Sequence, residues 1–198
     1  MPRATVTVAV EGPSDAAVAE RLLDHAGLEM GPVHGLQGKA LLDRQLLGYN
    51  NAARHACWLV LRDLDTDADC APHLLSRLLP SPARSMRFQI AVRAVEAWLI
   101  ADRERLGQFL QVPVGRIPVV PDTLPNPKET LVDLARLSRS KAIRQDMVPS
   151  PGTSATVGPG FVGRIIEFAT RRWRPEAAAA HSDSLRRCLA DLKRRSEK

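Results

Sequence analysis

Asp63, Asp65, Asp67 and Asp69 stand at every second position of "WLVLRDLDTDADC", directly behind a run of apolar and β-branched residues. Like charges at that density repel one another unless water or a cation relieves them. The stretch reads either as a solvated loop after a strand or as half of a metal site. Other acids occupy comparable places: Glu11 closes the apolar run "ATVTVAVE", Asp15 follows four residues on, and Glu96 comes just after "RFQIAVRA". Carboxylates are hard oxygen donors that suit Mg²⁺ or Mn²⁺ rather than zinc. Two such ions can activate a water and stabilise the leaving oxygen of a phosphoryl transfer.

Each residue also has a plainer use. Asp15, near a helix start, can stabilise the helix macrodipole. Asp67 and Asp69 can cap the following helix, and Glu96 can be a solvated position on an amphipathic one. Lys39 in "QGKALL" and Lys128 in "NPKETL" sit at helix starts, where a lysine meets a phosphate or simply faces water. Trp58 and Trp98 read as core. The histidines at 25, 34, 55, 73 and 181 show no ligand spacing, and Cys57, Cys70 and Cys188 form no CxxC pattern.

The elements that must position these groups alternate. Strands are expected in "ATVTVAVE", weakly in "EMGPVHGL", in "CWLVLRD" and in "RFQIAVRA". Helices are expected in "SDAAVAERLLDHAG", with Val18, Leu22 and Leu23 on one face and Gly27 closing it. They are expected also in "GKALLDRQLLGYNNAARHA", with Leu41, Leu42, Leu46 and Leu47 as its buried stripe, in "CAPHLLSRLL", and in "EAWLIADRERLGQFL". This alternation predicts an α/β fold with an open, mostly parallel four-stranded sheet flanked by helices. In such sheets ligands bind beyond the carboxyl ends of the strands, which is where Glu11, Asp63, Asp65 and Glu96 would gather.

After residue 111 prolines mark an irregular crossing, then helices return in "KETLVDLARLSRSKAI" and from "FVGRIIEFATRRW" onward, around a Pro/Gly/Ser/Thr loop at 148–160 that reads as flexible or ligand-embracing. The division is residues 1–111 as the α/β core and 112–198 as a helical C-terminal extension packing on it. Net charge is +6 over 198 residues, with +1 in residues 1–160 and +5 in residues 161–198. A basic block of that kind meets phosphates or an acidic surface, or is simply a solvated face. Arg171, Arg172 and Arg174 in "ATRRWRPE" are its candidate nucleic-acid contacts. No apolar run approaches the ~20 residues of a membrane span, and the N-terminus lacks a signal-peptide pattern, so a cytoplasmic location is expected.

With Glu11 in "VAVEGPSD" and Asp63/Asp65 in "VLRDLDTD", the chain resembles a TOPRIM domain, the α/β module of topoisomerases, primases and OLD-family nucleases. That module carries a Glu after its first strand and a DxD after its third. OLD-type nucleases extend the first motif to EGxxE, and Asp15 holds the last position here. Through "VEGPSD", "GLQGKALLDRQL", "WLVLRDLDTDADC", "RAVEAWLIAD", "NPKETL" and "GPGFVGRIIEFATRRW", the chain is similar to the bacterial family called domain of unknown function 4276 over almost its whole length. The resemblance implies a TOPRIM-like, Rossmann-like fold and a Mg²⁺- or Mn²⁺-dependent nuclease. It further implies Glu96 as an additional acid and a separate ATPase subunit as partner in phage defence. Two other readings stand beside it. One is a non-catalytic or partner-dependent subunit. The other takes "DLDT" as a haloacid-dehalogenase phosphatase signature, with Asp63 as nucleophile, although that signature normally ends the first strand of its fold.

Overall fold

The computed structural model describes residues 3–196, with side chains through residue 194. Four strands, β1 (Thr5–Val10), β2 (Glu29–Gly35), β3 (Trp58–Asp63) and β4 (Met86–Ala91), form one sheet in the order β2-β1-β3-β4. Every pairing is parallel, so all carboxyl ends share one edge. Three helices make the crossovers: α1 (Pro13–His25), α2 (Lys39–Ala52) and α3 (Ala71–Leu78).

The strands alternate between two apolar layers, as a sheet covered on both faces requires. Val6, Val8 and Val10 of β1 and Leu59 and Leu61 of β3 join the larger cluster, which holds Val18, Leu22 and Leu23 of α1. Ala9, Trp58 and Val60 point the other way, toward Leu42, Leu46 and Tyr49 of α2 and Leu74 of α3. Trp58 stacks against the rings of His34 and Tyr49, which also lie against each other at 6.1 Å between centroids. Both Trp58 and Trp98 are buried, as expected.

After β4 the chain forms α4 (Val95–Ala101), buried along its whole length, then α5 (Arg103–Leu110), two short 3-10 turns, α6 (Pro127–Arg136), α7 (Lys141–Met147), α8 (Phe161–Arg171), α9 (Pro175–Ala179) and α10 (Asp183–Ser196). The helical extension shares the core of the sheet. Leu131, Phe161, Phe168, Trp173 and Leu189 belong to the same cluster as Val8 and Leu22. Trp173 donates its indole N–H to the carbonyl of Trp98, and Trp98 donates to the Ser184 hydroxyl.

Several local expectations are corrected. The helix expected across "EAWLIADRERLGQFL" breaks at Asp102, whose carboxylate caps α5 by accepting from Arg105 N. The one expected across "KETLVDLARLSRSKAI" breaks before Ser140, which caps α7 through its hydroxyl. In both cases a side chain that bonds its own backbone competes with helix propagation. Leu47 is 65% exposed, because the buried face of α2 runs through Leu42, Leu46, Tyr49 and Asn50. The cap of α3 is Cys70, with no side-chain bond from Asp67 or Asp69. The 148–160 loop is closed at its neck, where Gly158 N donates to Met147 O and Gly160 N to Asp146 O. Among the described residues no helix is long and apolar enough to cross a membrane.

Candidate metal centre

Four carboxylates from separate segments meet at the carboxyl edge of the sheet. Glu11 follows β1, Asp15 lies in the first turn of α1, Asp63 ends β3, and Glu96 lies in the first turn of α4. Each is held by a bond of its own. Glu11 Oε1 accepts from Asp63 N at 2.9 Å, which ties β1 to β3. Asp15 Oδ2 accepts from Gly12 N at 2.8 Å, and Asp63 Oδ1 accepts from Val95 N at 3.0 Å. Glu96 Oε1 lies 3.5 Å from Lys128 Nζ, at the start of α6.

Asp15 and Glu96 are almost fully buried, at 6% and 3% exposure. Burial and then repulsion from Glu96 push the Asp15 carboxyl up to about 7, against the pull of the Gly12 N–H. Burial, followed by Asp15, Glu96 and Glu11, holds the Asp63 carboxyl well above the ordinary carboxylate range. Burial raises Glu11 as well, with the Asp63 N–H and Arg62 acting to lower it. Glu96 raises Lys128 too, and for a lysine that shift keeps it charged. The site thus concentrates more negative charge than its own side chains neutralise. A hard divalent cation is the chemical complement of such a donor set. Among the described residues, however, no three His, Cys, Asp or Glu side chains already stand around one point as a cage. Coordination of a common ion would require these carboxylates to draw closer around one point than they stand here.

The DxD pair is divided. Asp63 enters the acidic cluster, but the chain leaves β3 at once and Asp65 adopts a left-handed φ of 47°. Its carboxylate accepts from Lys39 Nζ at 2.8 Å, and the same lysine bonds Asp67 at 3.0 Å. Lys39 therefore faces carboxylates, and Asp65 remains close enough to Glu11 to raise its pKa.

Sequence reasoning missed the cations that hold this second network. Arg62, 3% exposed, bonds Asp43 through Nε and Nη2 at 3.2 and 2.9 Å and reaches Asp67 at 2.6 Å. Arg93 Nη1 donates to Asp65 O at 3.0 Å, and Asp65 N donates to Arg93 O at 2.8 Å. The available signal was Arg62 itself: a charge inside an otherwise apolar strand requires a partner.

The candidate contacts in the C-terminal region lie elsewhere. Trp173 O accepts from Arg21 Nε at 3.3 Å, and Arg21 is about 9 Å along α1 from Asp15 at 1.5 Å per residue. Arg174 bonds the buried Asp102 through its backbone N–H and guanidinium and also reaches Glu104. Arg171 and Arg172 are exposed at the end of α8. None of the three joins the acidic cluster.

No family model, curated protein or solved structure matches this chain.

Proposed function

We propose that the chain is a Mg²⁺- or Mn²⁺-dependent phosphodiester nuclease of the TOPRIM type. The observation that carries this reading is the meeting of Glu11, Asp15, Asp63 and Glu96 at one sheet edge, from two strand ends and two helix starts. Folding gathers charges that repel one another, and a bound cation would reverse that cost. Asp63, Glu11 and Glu96 would hold the ion, with Asp15 beside them. When bound, the ion supplies Lewis-acid polarisation of a phosphoryl oxygen and a water acidified toward neutral pH.

The rest falls to the chain. Glu11 is joined to the Asp63 backbone and stays near the ends of both strands, where it can take or return a proton. Lys128 reaches the cluster from solvent and can exchange Glu96 for a substrate phosphate. Asp65, bonded to Lys39, stabilises the loop and the charge balance around Glu11.

A second reading has its own support. Because no three acids form a ready cage, the cluster also fits a binding subunit that is completed by a partner such as a separate ATPase. The test is cleavage of single- and double-stranded DNA and of RNA by the purified chain in EDTA, Mg²⁺ or Mn²⁺, beside Glu11→Gln and Asp63→Asn. The nuclease reading expects metal-dependent cleavage that falls by at least about a hundredfold in both variants. Mn²⁺ binding without cleavage under any of these conditions would replace it with the subunit reading.

A further inference from the structure

Part of the positive charge of the C-terminal region is paired in place. Arg186 and Arg187 pair with Asp183, Arg194 pairs with Asp191, and Arg174 with Asp102 and Glu104. The opposite holds at the junction of α6 and α7, in "ARLSRSKAIR". Arg136, Lys141 and Arg144 line an open cleft of about 500 Å³ with Gln145, Val148 and Pro149, and no carboxylate lines it. Among the described residues Lys141 and Arg144 have no carboxylate partner, and Arg144 donates to the Ser138 carbonyl. Arg136 approaches Asp133 only at 3.9 Å, with both side chains more than half exposed. Arg139, between α6 and α7 in the chain, is exposed as well.

We infer that this cleft binds the phosphate backbone of a nucleic-acid strand, and that it, rather than the basic tail, is the chain's main nucleic-acid surface. The inference rests on the nuclease reading for the class of ligand and goes beyond it in placing the strand. α6 supplies the continuity. Its first turn carries Lys128 beside Glu96, and its last residue is Arg136. Eight residues of helix span about 12 Å, a distance of about two backbone phosphates. A strand held by Arg136, Lys141 and Arg144 therefore has its neighbouring phosphates within reach of Lys128 and the carboxylates. Glu129 and Asp133 on the outer face of α6 would repel it, which favours a path through the cleft over one across the helix. Contacts to phosphate carry no sequence information, so binding through the backbone is expected to be salt-sensitive and weakly dependent on sequence.

The test is fluorescence anisotropy of labelled single-stranded DNA and RNA and of duplex DNA in EDTA, from about 50 to about 200 mM salt. The full chain is compared with Arg136→Gln/Lys141→Gln/Arg144→Gln and with Arg186→Gln/Arg187→Gln/Arg194→Gln. All six positions are exposed, so both variants keep the core intact. The cleft variant is expected to lose about ten-fold in affinity at the lower salt. Its slope of log affinity against log salt should fall by about 2, from three contacts at about 0.7 each on a single strand. The tail variant should stay near the parent. Equal affinity and slope in the cleft variant, or an equal loss in both, would overturn the inference. So would tighter binding of labelled polyglutamate than of DNA, which would make the cleft a site for an acidic protein. Because no metal is present, the two readings separate. Binding as expected without cleavage removes only the nuclease activity, and cleavage with unchanged binding in the cleft variant removes only this surface.

Discussion

Replacing Asp15 by Asn should make the metal-free protein more stable, although Asp15 is a candidate ligand. Its carboxyl is raised from an ordinary 3.8 to about 7, by burial first and by Glu96 second. The folded state therefore keeps a proton that the unfolded chain releases, and stability falls as pH rises between those two values. At about 1.4 kcal/mol per pH unit, the full cost of ionised Asp15 above neutral pH is about 4 kcal/mol. Relaxation and water entry reduce it, and we expect a gain of about 2 kcal/mol for the variant at about pH 8. Asn keeps an oxygen for the Gly12 N–H, so the bond that opens α1 survives. The assay is urea unfolding in EDTA at about pH 4 and about pH 8, with a thermal midpoint gain of about 5 °C at the higher pH for a chain of this size. The gain should vanish at the lower pH, where Asp15 approaches protonation in both states. Saturating Mg²⁺ or Mn²⁺ should narrow the difference by relieving the parent. An Asn variant equal to or weaker than the parent at about pH 8 would refute the argument that burial and repulsion set the state of this carboxyl.

Two further substitutions test the frame around the site. Arg174→Ala removes two guanidinium bonds from buried Asp102, which retains the Arg174 and Arg105 backbone N–H groups. Because the guanidinium is partly exposed, the loss in urea unfolding should be about 2 kcal/mol rather than the larger cost of a fully buried pair. Gly35→Ala places a Cβ 2.2 Å from Val10 O at a φ of 85°, so β1 and β2 must separate at the very edge that carries Glu11. A thermal scan should register a loss of at least about 2 kcal/mol, and an unchanged midpoint would contradict the close approach.

Much of the fold was legible because burial on both faces leaves a direct trace along the chain. The apolar runs ending at Val10, Asp63 and Ala91 are the strands, and a parallel sheet with helical crossovers is the arrangement that covers them. Helix breaks at Asp102 and Ser140 were not legible, since apolar periodicity continues through them and only the local capping bonds stop the helix.

The sequence by itself determined that Glu11 and Asp63 stand at strand ends, because each closes an apolar, β-rich run and polar or turn-forming residues follow it. It also determined the placement of Asp15 and Glu96 at helix starts. The tertiary structure alone decided which acids face one another. Asp63 and Asp65 look equivalent in a DxD pattern, yet one meets Glu11, Asp15 and Glu96, and the other turns to Lys39. It likewise decided which cations find acids: Arg174, Arg186, Arg187 and Arg194 do, while Lys141 and Arg144 do not. The reason is range. Hydrophobic periodicity is written in neighbouring residues, whereas charge compensation depends on a few ångströms between groups as far apart in the chain as Arg174 and Asp102.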